Sequence, residues 1–156
     1  LFSANYTYTS AEIVASAGDT YLHPLELVGA VSAAPLDGAA LQGTPENIVN
    51  VQFGWESGVD QLTLLVGWVD QRLLQRGLDL EGLVVPDVIE DPGVQVDVVY
   101  RRDFSVGGHE FTLGLSGRNL LDEAHEEFQI SDGLGRTEFN TYDRGQSLSA
   151  SLTARF

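Results

Sequence analysis

The sequence predicts an all-β, antiparallel up-and-down transmembrane β-barrel segment of about six strands, and three observations predict it. Apolar and polar residues alternate with a period of two in six separate stretches. The connections between those stretches alternate long and short. Most of the acidic residues sit in the long ones.

The alternation is cleanest at the end of the chain, where Leu148, Ala150, Leu152, Ala154 and Phe156 interleave with Ser147, Ser149, Ser151, Thr153 and Arg155. Successive side chains of a strand point to opposite faces, so this pattern gives one apolar and one polar face. The same reading places strands near 1–13, 46–56, 61–72, 94–104, 109–119 and 144–156. Leu148, Leu152, Leu113, Val96, Leu64 and Val51 are expected on one face, and Ser149, Ser151, Ser116, Asp97, Thr63 and Gln52 on the other. Each stretch has about the 9–11 residues that a tilted bilayer span requires. The longest unbroken apolar run, near Leu64–Val69, is far short of the roughly 20 residues of a membrane helix.

Segments 14–45, 73–92 and 120–143 form the long connections. Ser57–Asp60 and Ser105–Gly108 form four-residue turns of hairpin type. These turns pair Gln52 with Leu65 and Asp97 with Ser116. The long segments hold 15 of the 23 acidic residues and only Arg76 and Arg136 among the eight arginines. That gives a solvated acidic layer beyond a nearly neutral strand layer, as long outer loops above a barrel wall do. Phe2, Trp55, Tyr100, Phe104, Phe111 and Phe156 fall at the short-turn ends, and Tyr8 and Trp68 near the opposite ends, where membrane interfaces favour aromatic rings. The competing expectation is a soluble sandwich, in which the same aromatics are core and a second sheet covers the apolar face.

Composition closes several function classes. A net charge of −15 excludes nucleic-acid binding that runs on phosphate neutralisation. The chain has no Lys, which removes phosphate-loop and Schiff-base chemistry, and no Cys, which removes thiolate and disulfide chemistry. It starts at Leu1 and contains no Met, so the expectation is a piece of a longer chain.

The tract Phe111–Asp122, ending Asn119-Leu120-Leu121-Asp122, resembles the penultimate strand of TonB-dependent outer-membrane receptors, and Leu148–Phe156 resembles their closing strand with its terminal aromatic. Gly43–Asn50 and Val98–Phe104 are similar to earlier strand approaches in that family. The resemblance implies the C-terminal part of a plugged, 22-stranded barrel in the bacterial cell outer membrane. Such a barrel imports a scarce ligand of the siderophore, haem, cobalamin or glycan class with energy supplied by TonB. The plug domain and TonB box lie N-terminal in the family and are absent from this sequence. The implied partners are outer-membrane lipid, the remainder of the barrel and its plug, TonB through the missing part, and the barrel-assembly machinery, which reads the terminal Phe156. The alternative function is a passive porin or an adhesin-like barrel binding a partner through its loops.

No catalytic, cofactor or metal site is expected. Asp122-Glu-Ala-His125 spells a helicase box without its phosphate loop. His23, His109 and His125 lie at no spacing that argues a triad. His125, Glu126 and Glu127 have suitable ligand chemistry, but consecutive residues rarely converge on one ion. Asp97, Glu110, Arg101, Arg118 and Arg155 are expected on the wet face, pairing within the wall or with the plug. Ligand contact falls to loop residues, with Arg136, Asn140 and Tyr142 as candidates.

Overall fold

The structure, a computed structural model, describes residues 1–22, 30–32, 37–80, 83–131 and 133–155. His23 and Phe156 lie outside the described residues. In chain order the strands are β1 (Phe2–Tyr8), β2 (Thr20–Leu22), β3 (Ala30–Ser32), β4 (Asn47–Ser57), β5 (Asp60–Val69), β6 (Arg72–Gln75), β7 (Leu78–Leu80), β8 (Leu83–Val85), β9 (Val88–Asp91), β10 (Gly93–Val106), β11 (His109–Arg118), β12 (His125–Ser131), β13 (Gly135–Tyr142) and β14 (Ser147–Arg155). No helix occurs among the described residues.

The six expected strands make one antiparallel sheet in chain order, β1-β4-β5-β10-β11-β14, with β1 and β14 as open edges. The sheet is not closed. β1 stops at Tyr8, earlier than expected, because the chain leaves the sheet to bring Ile13 against Ala39. The first hairpin has the expected register, Gln52 opposite Leu65. The second does not: Ser116 faces Val99, and Asp97 faces Leu65 only. Gly107 and Gly108 both take positive φ, 60° and 85°, which permits a two-residue turn closing on Val106 and His109. The slip is by two residues, so each side chain keeps its face.

Register therefore sorts the sheet into two surfaces. Phe53, Leu64, Val98, Gly117 and Leu148 lie in one row across five strands, and Val51, Val66 and Val96 in the next. The opposite surface carries Gln52, Thr63, Asp97, Ser116, Ser149 and Ser151, as expected from the alternation. Among the described residues no second sheet covers the apolar surface as a sandwich requires: Tyr6, Leu148 and Leu152 remain 62%, 74% and 64% exposed.

The long segments, expected as loops with room for extra strand extension, carry a second antiparallel sheet of order β13-β12-β9-β6. Each of its strands adjoins in sequence a strand of the main sheet: β6 follows β5, β9 precedes β10, β12 follows β11, and β13 precedes β14. The order of neighbours is thus the same in both sheets, and the second is the first continued past a break. The two buried apolar side chains among the described residues, Val88 and Phe128, both lie in the second sheet.

Candidate functional site

The break between the sheets is built from residues that leave the extended conformation. Pro92, which cannot donate to a ladder, precedes Gly93 at φ 68°. Asn119 and Asp122 take left-handed values of 52° and 57°, unusual for residues other than Gly. The Asn119–Asp122 tract singled out in the sequence is therefore a knot between the two sheets. The Asn119 side chain accepts from Glu123 N at 3.0 Å and donates to the carbonyls of Glu123 and Gly145, at 3.1 and 3.0 Å. Its backbone N–H donates to Asp97 Oδ1 at 3.0 Å. One asparagine so ties β10, β11 and the approach to β14.

Neighbouring groups complete the seam. Arg144 Nη2 donates to the carbonyls of Pro92 and Ala124, and Gln146 Nε2 to that of Leu120. Asn47 Nδ2 reaches Asp70 Oδ2 at 2.7 Å, and Gln71 Nε2 reaches Asp91 Oδ2 at 2.7 Å. Backbone groups freed where the ladders stop thus find side-chain partners, as buried and half-buried peptide groups must.

Beyond the seam, Arg72, Glu90, Glu127 and Asn140 stand directly opposite one another across all four strands of the second sheet. Arg72 grips Glu90 with two parallel bonds, Nε to Oε2 at 2.8 Å and Nη2 to Oε1 at 3.0 Å. This fork geometry is the strong form of an ion pair. Glu127 Oε1 lies 2.7 Å from His125 Nε2, and since an ionised carboxylate only accepts, that nitrogen carries the proton. Tyr142 packs over His125 with ring centroids 4.7 Å apart. The two carboxylates are adjacent in register, yet each is matched to its own donor. The row cross-links the strands and leaves Asn140 and Tyr142 exposed on the outermost strand, where an amide and a phenol can hydrogen-bond a ligand or a further strand.

The three ligand candidates are brought together only in part. All lie on strand β13, not on a loop. Asn140 and Tyr142 share a face with Glu127 and His125, whereas Arg136 lies on the other. Its guanidinium sits 3.8 Å from the centroid of the buried Phe128 ring and pairs with Glu126. Glu126 and Glu127 therefore diverge, and no group of three metal-ligating side chains forms among the described residues. Sequence reasoning missed Arg72 and Glu90. Their pairing depends on a register between two four-residue strands that no local pattern announces.

On the main sheet, charges expected on the wet face find partners or registers within the sheet. Asp97 accepts from the seam, Arg101 pairs with Asp103 at 3.2 Å, and Glu110 stands opposite Arg155. The same face bears a depression of about 350 Å3 around Gly67, lined by Asn5, Asn50, Gln52, Gln95 and Asp97. Its amide-rich lining suits hydroxyl or peptide groups. Comparison of the chain with family models, with curated proteins and with solved structures finds no match in any of the three.

Proposed function

We propose that this chain is a wall segment of a β-barrel in the bacterial outer membrane, and that the barrel is an active-transport receptor of the TonB-dependent kind. The observation that carries the reading is the uncovered, continuous apolar face of a six-stranded meander whose other face is polar. Ten residues at ~3.3 Å each, tilted by ~40°, span about 25 Å, the height of the apolar band of outer-membrane barrels. Trp55, Tyr100, Phe104 and Phe111 crowd the short-turn end of that face, with Tyr6, Tyr8 and Trp68 at the other end and mainly aliphatic rows, interrupted by Phe2 and Phe53, between. In water such a face invites association; in lipid it is satisfied.

The open edges at β1 and β14 call for further strands from the rest of the barrel. The polar face, with its amide-lined depression, is then the lumen side that meets a plug. The second sheet rises above the outer surface as a wet continuation of the wall, presenting Asn140 and Tyr142 to ligand. Phe156, on the resemblance, serves the assembly machinery: its deletion lowers the amount of folded barrel and leaves ligand affinity unchanged in the molecules that insert.

The test uses the complete protein in cells, with cysteines introduced singly into a background that has none in this chain. Leu134→Cys, in the turn of the second sheet, is labelled on intact cells by a membrane-impermeant maleimide. Val59→Cys, in a short turn, is labelled only after permeabilisation. Equal labelling of both on intact cells contradicts the topology. Ligand uptake that stops when TonB is deleted supports the receptor, and uptake indifferent to TonB supports the porin.

A further inference from the structure

Resting on the bilayer reading, we infer that the apolar face carries a built site for one phospholipid of the inner, short-turn leaflet, recognised through its phosphate by Arg102. Within the strands of the main sheet, Arg102 is the one arginine on the apolar face: it lies opposite Leu113 on one side and Asp60 on the other. A cation on a lipid-facing surface is costly unless it reaches the headgroup layer. Arg102 sits at the level where that layer falls, two residues nearer the turn than Tyr100. Its Nε stands 3.8 Å from Asp60 Oδ1, longer than a charge-assisted hydrogen bond, while Asp60 is held at 2.5 Å by the hydroxyl of Tyr100. Asp60 is thus shared between the phenol and the guanidinium, and the Arg102 side chain is half exposed.

Immediately above, toward the middle of the sheet, lies a depression of about 520 Å3 with almost wholly apolar walls. It is lined by the small residues Gly117 and Ala150 together with Val98, Tyr100, Leu115 and Leu148. The volume falls within the range of about 300–1,000 Å3 typical of ligand sites. A Cβ at Gly117 would stand 2.7 Å from Leu120 Cδ2 and 3.2 Å from Leu148 Cδ2, so a larger residue there would displace those leucine side chains and narrow the depression. Rows two residues apart are ~7 Å apart along a strand, so the guanidinium precedes the notch by about the length of a glycerol ester linkage. Cation and notch together fit a diacyl lipid with an anionic phosphate: phosphate on Arg102, one acyl chain in the notch.

Native mass spectrometry of the complete barrel tests this with two probes of identical acyl chains, phosphatidylglycerol and diacylglycerol. The barrel is expected to retain phosphatidylglycerol and not diacylglycerol. Arg102→Gln should cut the retained fraction about tenfold, the scale of losing one charged hydrogen-bonding pair. Arg102→Lys should keep most of it, and Ala150→Phe, which fills the notch without removing charge, should abolish it. Unchanged retention in both Arg102→Gln and Ala150→Phe overturns the site, and equal retention of diacylglycerol overturns the role of the phosphate. A nitroxide at Leu64 separates the two levels of the argument. If it reports lipid and retention is unchanged in the variants, only this inference fails; if it reports water, the bilayer reading fails with it.

Discussion

The two sheets share one order of strand neighbours and differ in nearly everything else. In the main sheet both faces are open, and apolar residues such as Phe53, Leu148 and Leu152 stand 46%, 74% and 64% exposed. In the second sheet Val88 and Phe128 are 3% and 2% exposed, and Glu90 is 8% exposed beneath its arginine. Among the described residues nothing covers the apolar face of the main sheet. The second supplies its own small core and its own ion pairs. One order of strand neighbours carries two surface chemistries, and the change falls at the seam around Asn119.

The contrast is broken most forcefully by deleting one aromatic side chain in each sheet. Phe128→Ala should cost about 3–5 kcal/mol, as for a buried aromatic, and be seen as faster hydrogen exchange across β9, β12 and β13. Phe53→Ala, half exposed on the other sheet, should cost well under half as much. Equal effects would mean that the second sheet has no core of its own.

A charge placed on each face of the main sheet sharpens the same comparison. Val66→Arg should destabilise the membrane-inserted barrel by about 2–4 kcal/mol, the penalty near a bilayer midplane, whereas Thr63→Arg should change it little. Urea titration of the protein folded into vesicles, followed through Trp55 and Trp68 fluorescence, reads the difference. Similar losses at both positions would remove the distinction between the faces.

The seam gives the smallest expected effect. Asn119→Ala removes three side-chain hydrogen bonds and leaves a residue with a Cβ at φ 52°. The expected loss is about 2 kcal/mol. Hydrogen exchange should localise it to residues 119–124 and 143–147 and leave the centre of the main sheet protected. Loss of protection throughout β10 and β11 would show instead that the seam organises the whole wall.

How far this contrast was legible beforehand follows from strand length. Strands of seven to fourteen residues repeat the period of two often enough for Leu148–Phe156 or Leu62–Trp68 to announce both strand and face. The slip in the second hairpin came from backbone freedom: two glycines with positive φ tighten a turn without leaving any trace in the hydrophobic pattern. The second sheet stayed hidden because its strands are short and irregular. Val88-Ile89-Glu90-Asp91 does not alternate, and a bulge between Glu127 and Phe128 shifts the register in mid-strand. For the same reason residue type alone could nominate Arg136, Asn140 and Tyr142 but could not divide them between two faces. The Asn119 motif was visible as a tract; that its side chain is a knot depends on partners as distant in sequence as Gly145.

The claim that most needs testing is that one face of the main sheet meets lipid. Nitroxide labels placed one at a time from Leu62 to Trp68 in the complete protein, inserted in vesicles, measure it directly through their accessibility to dissolved oxygen and to a water-soluble nickel complex. Oxygen should dominate at Leu62, Leu64, Val66 and Trp68, and nickel at Thr63, Leu65 and Gly67, a period of two in phase with the apolar face. An accessibility profile without that period, or one in the opposite phase, would contradict the account.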